Sequence, residues 1–315
     1  MKKRHLRILA AMICLIAGLC GCGKQESNKA EEGYTFQDDL NRTVTVQSSE
    51  RVITMIGSFT DTWILAGGNV VGAARDSWTS FDLNLGEDVV NIGSHLEPDV
   101  EQLLAANPDF VIASANTDAN VELEEILNQA GIPVAYFAVS NFDDYLHMLD
   151  ICTDITGRKD LYQKNGLEVQ TKIEEVKARA DESHPTILFL RASSTSVKAK
   201  GSEDNVGGEI LADLGCINIA DSDGSLLDDL SMEAIIAAEP EYIFVTTQGT
   251  DLEAAMKNVE ELLCNNPAWN SLSAVQNGNY YVLDKSLYNL KPNARWGEAY
   301  EQLADILYPD GTSVQ

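Results

Sequence analysis

Four residues near the end of the chain, Tyr288, Lys291, Arg295 and Trp296 in "DKSLYNLKPNARW", bring aromatic surface and cationic donors into a stretch that leads into a helix. Such a set suits a flat or anionic ligand, because a guanidinium donates paired hydrogen bonds to oxyanions and rings offer faces to cations and planar groups. Trp78 stands among Asp76, Ser77, Thr79 and Ser80, the polar company of a loop beside a cleft. Arg75 and Arg191 each follow an apolar run in opposite halves of the sequence, so the pair could clamp an anion from two sides. Ser58 in "GSFT" and His95 in "GSHLE" complete the candidates. Each has a plainer reading: core packing for Trp296, surface ion pairs for the arginines, a structural role beside a helix cap for His95.

Catalysis and bare-metal binding find little support. The chain has no G-x-S-x-G elbow, P-loop or H-E-x-x-H, and the paired Gly207 and Gly208 lack the G-x-G-x-x-G pattern that grips a pyrophosphate. His95, His147 and His184 fall beside a helix cap, within a helix and at the end of a long helical run, so they do not read as one metal site. The expectation is a binding protein with no catalytic residue, no cofactor and no directly bound bare ion.

The elements that must hold these residues are written twice. "VEQLLAANPDFVIAS" from Val100 and "MEAIIAAEPEYIFVT" from Met232 align Glu101 with Glu233, Leu103 with Ile235 and Pro108 with Pro240. In each copy apolar residues recur at i, i+3, i+4, the buried stripe of a short helix. Asp99 and Ser231 stand at N-cap positions, with Gln102 at capping-box spacing from Asp99, and the prolines should stop the helices at Asn107 and Glu239. The apolar runs that follow suit strands covered on both faces, as in a parallel sheet. Two similar α/β lobes are expected, joined by a helical run over residues 160–180 whose weak point is Gly166.

The first residues belong to neither lobe. "MKKRHLR" and the short apolar stretch after it form an export signal, too short to span a membrane. Its end, "LCGC", resembles the lipobox of bacterial lipoproteins, which would make Cys22 the lipidated N-terminus. After residue 21 the chain carries 18 basic against 49 acidic residues, a net of −31, which argues against nucleic acid as a partner. Cys152, Cys216 and Cys264 have no metal-ligand spacing and read as buried thiols, two of which could be bridged.

Over residues 34–309 the order of elements, with "NIGSHLEPDVEQLLAANPDFVIAS" and "NLKPNARWGEAYEQLADILYP", resembles the helical-backbone class of ABC-transporter substrate-binding proteins, which includes siderophore, haem and cobalamin receptors. The resemblance implies an α/β fold of two Rossmann-like lobes bridged by one long α-helix, with the ligand cleft between the lobes. It divides the chain into a lipoprotein signal (1–21), a tether (22–32), an N-terminal lobe (33–158), the bridge (159–183), a C-terminal lobe (184–309) and a tail (310–315). It further implies a monomer, lipid-anchored on the extracytoplasmic face of a bacterial membrane. Such a protein captures an iron complex, a ferric siderophore first, with haem and then the cobalt corrinoid cobalamin as alternatives, and hands its ligand to an ABC permease dimer with its ATPase. Glu101 and Glu233 match the position from which such receptors present one Glu per lobe to the permease. A lipid-anchored sensory or adhesion protein is the alternative from another class.

Overall fold

A computed structural model describes residues 33–309 apart from Asp204, Asp223 and Asp229. The export signal, Cys22 with its tether, and the tail from residue 310 lie outside the described residues. The described chain opens with an antiparallel hairpin of β1 (Tyr34–Gln37) and β2 (Thr43–Val46), whose alternating burial follows the alternating sequence. Then come β3 (Val52–Thr54), β4 (Val70–Ala73), β5 (Val90–Asn91), a two-residue hairpin of β6 (Gly93–Ser94) and β7 (Glu97–Pro98), β8 (Phe110–Ser114) and β9 (Val134–Phe137). The first sheet has the order β5-β4-β3-β8-β9 with every pairing parallel. All five residues of β8 are buried, as a strand with helices over both faces requires.

The second sheet is built from β10 (Thr186–Ala192), β11 (Val197–Ala199), β12 (Ile217–Asn218), β13 (Tyr242–Thr247) and β14 (Tyr280–Val282), in the order β11-β10-β13-β14 with β12 also beside β10. Only the β10/β11 pairing is antiparallel. In both sheets the opening strand pairs in parallel with the strand that follows the repeated helix, Val52 with Phe110 and Ile187 with Tyr242. The doubled sequence is thus a doubled structural unit.

Its local chemistry is the same in both copies. Asp99 accepts a hydrogen bond from the Gln102 N–H (3.0 Å) and Ser231 from that of Ala234 (3.3 Å). The helices end at Ala105 and Ala238, slightly before the expected stops, and Asn107 (φ 48°) and Glu239 (φ 46°) take the left-handed conformation. The following proline disfavours right-handed geometry there, so a non-glycine residue bears the strain. The full capping box forms elsewhere: Asn141 and Asp144 cap the helix Phe142–Thr156 reciprocally.

Between the two sheets in sequence, helical backbone runs without a break from Lys159–Tyr162 through a wide π-turn, Gln163–Leu167, to Glu168–Lys177. The π-turn contains Gly166, where a Cβ would stand 2.7 Å from Leu146 Cδ1 and 3.2 Å from Leu149 Cδ2. The glycine therefore lets this helix press against Phe142–Thr156. The freed backbone is satisfied, since the Tyr145 hydroxyl donates to the Asn165 carbonyl (2.9 Å) while Asn165 Nδ2 donates to that of Leu65 (2.8 Å). On its other side the long helix meets the closing helix Trp296–Leu307, with Lys172 and Glu301 paired at 2.6 Å.

One buried cluster runs through both lobes and includes Phe59, Phe137, Phe142, Phe189, Phe244 and Trp296. Among the described residues no helix is long and apolar enough to cross a membrane.

Candidate functional site

The carboxyl ends of β3, β8, β10 and β13 lead into loops that line a cleft of about 810 Å³. In the first sheet the strand order reverses between β3 and β8, and open α/β sheets bind ligands outside such a switch point.

The first-lobe wall is made by Ser58, Asp76, His95 and Asn116. Ser58 lies in the first turn of the helix Gly57–Leu65, directly after β3. A Cβ on Gly57 would come within 2.8 Å of the Ser77 nitrogen, so only glycine lets this turn slide under the start of the helix Asp76–Thr79. The Gly57 N–H then donates to Asp76 Oδ2 at 2.9 Å. Ser58 Oγ and Asp76 Oδ1 are buried and have no hydrogen-bond partner among the described residues. His95 sits at the tip of the β6/β7 hairpin with Nδ1 3.9 Å from Asp76 Oδ2. Its carbonyl accepts from Nδ2 of the fully buried Asn120 (2.8 Å), whose Oδ1 accepts from the Ser114 N–H (3.1 Å). That anchor fixes the hairpin tip to the end of β8.

The opposite wall carries Arg191 from β10, Gln248 after β13 and Lys285, whose ammonium donates to the Gly249 carbonyl (2.9 Å). From Lys285 the chain crosses to the first lobe. Buried Asn293, in the left-handed conformation at φ 52°, donates from Nδ2 to the Ser58 carbonyl (2.9 Å) and to Asp61 Oδ2 (2.8 Å). Burial raises the Asp61 carboxyl above its usual range. This latch ties the backbone beside Lys291 to the first lobe, although Lys291 follows the second sheet in sequence. Burial pulls the Lys291 ammonium below the ordinary lysine range, with Asp76 and Asp144 partly offsetting it. Burial likewise lowers Arg191, and no ion pair forms at Arg191 or Lys291 among the described residues.

A second chamber of about 220 Å³ shares Asn116, Arg191, Asn289 and Lys291 with the cleft.

Of the residues singled out in the sequence, Ser58, His95, Arg191 and Lys291 come together around the cleft. Tyr288 reaches only the second chamber, as a buried ring whose hydroxyl donates to the Ala299 carbonyl (2.9 Å). Trp296 belongs to the core, 0 % exposed and edge-on to Phe142 at 6.3 Å. Arg295 points to solvent in a two-pronged pair with Glu298 (2.8 and 2.9 Å), the plainer reading of both residues. Exposed Arg75 and half-buried Trp78 flank the first-lobe wall without lining the cleft. Sequence reasoning did not single out Lys285, Asn116, Asn289 and Gln248. Asn116 and Gln248 stand in loops after β8 and β13, Lys285 opens and Asn289 caps the short helix Lys285–Tyr288 that follows β14, and placement after a strand was the available signal.

Glu101 and Glu233 are exposed in the first turns of the two repeated helices, with no ion pair among the described residues. Cys152, Cys216 and Cys264 are free thiols, the first buried and the others half-buried. No cluster of metal-ligating side chains occurs among the described residues.

The chain is 22 % identical over 312 residues to a putative ABC transporter substrate-binding lipoprotein, YhfQ, of Bacillus subtilis, covering 92 % of this chain and 93 % of the relative. It is 24 % identical over 290 residues to the Fe(3+)-citrate-binding protein YfmC of the same organism, covering 88 % of each. Among solved structures, the apo periplasmic haem-binding protein RhuT of Roseiflexus sp. RS-1 superposes with a TM-score of 0.66 at 22 % identity, over 84 % of this chain and all of that one. Residues 52–287 match the family described as Periplasmic binding protein, and with both parallel sheets and the cleft inside or beside that span, the chain belongs to this family.

Proposed function

We propose that this protein captures an anionic ferric siderophore, with haem or cobalamin as the alternative ligands, and delivers it to an ABC importer. The observation that carries the reading is the pair Arg191 and Lys291, mounted on different lobes and facing one cleft without ion-pair partners. Partly desolvated cations without a direct ion pair are costly, and an anionic guest lowers that cost. Hydroxyl and amide side chains outnumber apolar ones in the lining, and among the described residues Phe81 is its one aromatic ring besides the His95 imidazole. Haem, the second reading, would want flat apolar walls, and His95 is the side chain that could offer it an axial nitrogen. The relatives named for Fe(3+)-citrate and for haem agree with both readings.

In this reading the protein acts by binding alone, as a monomer, held at the extracytoplasmic face by a lipid on Cys22. Glu101 and Glu233 dock the two copies of the permease, because a two-fold partner needs matched contacts and the repeated helices supply them. Isothermal titration with ferric citrate, haemin and cyanocobalamin tests the ligand. Ferric citrate is expected to bind more tightly than the other two, and haemin binding tenfold tighter would reverse their order. Changing both Glu101 and Glu233 to Arg should leave ligand affinity within about twofold while abolishing stimulation of the transporter's ATPase in vesicles. Full stimulation by the double variant would reduce the pair to first-turn acids that complement their helix dipoles. A chain that binds none of the three ligands would favour a sensory or adhesion role.

A further inference from the structure

The chamber of about 220 Å³ that opens off the cleft differs from it in one respect. The cleft lining includes two carboxylates, Asp76 and Asp118, whereas the chamber lining has cationic Arg191, Lys200 and Lys291 and, among the described residues, no acidic side chain. Thr246, on β13 and 1 % exposed, also lines the chamber, and its Oγ1 has no hydrogen-bond partner among the described residues. The opening residues of the helix Val206–Asp213 border the same space and add the positive end of a helix dipole. The volume is below the roughly 300 Å³ at which sites for drug-sized ligands begin. It suits a small group.

We infer that this chamber is an anion subsite for one carboxylate or tetrahedral oxyanion, held by Arg191 and Lys291 with the Thr246 hydroxyl as a further donor. The inference rests on the reading of the cleft as an anion receptor and extends it to the chamber at its side. Burial lowers both cations from their ordinary values, Arg191 with no charge opposing the shift among the described residues and Lys291 in spite of Asp76 and Asp144. A bound oxyanion would restore that charge and give Thr246 an acceptor. The oxyanion could be a pendant carboxylate of the iron complex or a free inorganic anion bound beside it.

The test uses the purified, ligand-free protein, titrated with sodium phosphate and separately with iron-free citrate, against sodium chloride at equal ionic strength. Phosphate or citrate should raise the melting temperature saturably and give a measurable heat of binding, with sodium chloride doing neither. Arg191→Gln should weaken that binding at least tenfold. Thr246→Val keeps the shape of a buried strand residue while removing the hydroxyl, and should weaken it about threefold with the melting temperature of the free protein unchanged. Ferric citrate titrated in saturating phosphate then separates the two sources: competition assigns the chamber to an arm of the complex, and unchanged or tighter binding assigns it to a free co-bound anion. The inference is overturned if neither anion gives a saturable response, or if the response survives both substitutions. Phosphate binding without ferric citrate binding would sink the iron-complex reading and leave the subsite standing; ferric citrate binding without any phosphate or citrate response would do the reverse.

Discussion

The two lobes carry the same helix–strand unit yet give the cleft unlike walls. The first contributes Ser58, His95 and the carboxylates Asp76 and Asp118; the second contributes Arg191 and Lys285. What the repeat keeps is backbone: N-caps at Asp99 and Ser231, left-handed Asn107 and Glu239 before proline, and buried strands pairing with each lobe's opening strand. What differs is the side chain each loop presents after its strand. Fold and specificity are therefore set by different residues, and the second wall can change without disturbing the unit behind it.

The largest effect should come from reversing the second wall. Arg191→Glu is expected to weaken ferric citrate binding by about 2–5 kcal/mol, the range for stripping one partner from a buried charge pair. The free protein should still fold, since no ion pair depends on Arg191 among the described residues. Calorimetry and a melting curve check the two halves together. A loss of less than about threefold in affinity would remove Arg191 from the site.

The next effect concerns the cation that the first lobe holds. The free protein's Lys291 lies below the ordinary lysine range because it is buried, and a bound anion should raise it again. Binding then takes up a proton between those two values, so affinity falls by up to about tenfold per pH unit as pH rises through that window and is level below it. Stability moves the other way. A lysine whose folded value lies below its unfolded one penalises the fold while charged in both states, and the penalty fades as pH rises from the lowered value to the ordinary one. Lys291→Gln should flatten both trends. Titrations in buffers of different ionisation enthalpy read the proton uptake directly, and an affinity unchanged up to pH 10 would mean that Lys291 does not meet the ligand.

How far this was legible in the sequence depended on whether chemistry was local. Caps, proline stops and continuous apolar strands are decided by near neighbours, so the repeat and its helix–strand order could be read directly. The long helix was readable too, but Gly166 was a weak point by propensity alone. Its use, closing the distance to Leu146 and Leu149, is a tertiary fact. The site was legible as loops and less so as side chains. Ser58, His95 and Lys291 follow from standing in segments after strands and Arg191 from the carboxyl end of β10, whereas Trp296 and Arg295 were chosen by residue type, which does not fix direction. A helical count corrects both: Trp296 shares its stripe with Ala299, Tyr300 and Leu303, all buried, and Arg295 stands three residues before Glu298. Lys291's attachment to the first lobe through Asn293 joins residues 235 positions apart, and no local pattern announces it.

The smallest effect decides whether the first wall merely repels. Asp76→Asn should preserve the turn, since an amide oxygen can still accept from the Gly57 N–H. Two consequences then oppose each other. Removing the carboxylate takes a negative charge from beside an anionic guest, which favours binding; it also removes one of the charges that support the Lys291 ammonium, which pulls that group lower still. Well below the Lys291 value the lysine stays charged and only the first consequence acts, so ferric citrate should bind about two- to fivefold more tightly, or about 0.5–1 kcal/mol, the scale of a partly solvated charge interaction. As pH rises the gain should shrink, because Lys291 loses its proton earlier in the variant. In a Lys291→Gln background the gain should persist at every pH. If Asp76→Asn instead weakens binding in the Lys291→Gln background as well, the unpartnered Oδ1 accepts a hydrogen bond from the ligand, and the ligand must carry a donor as well as negative charge.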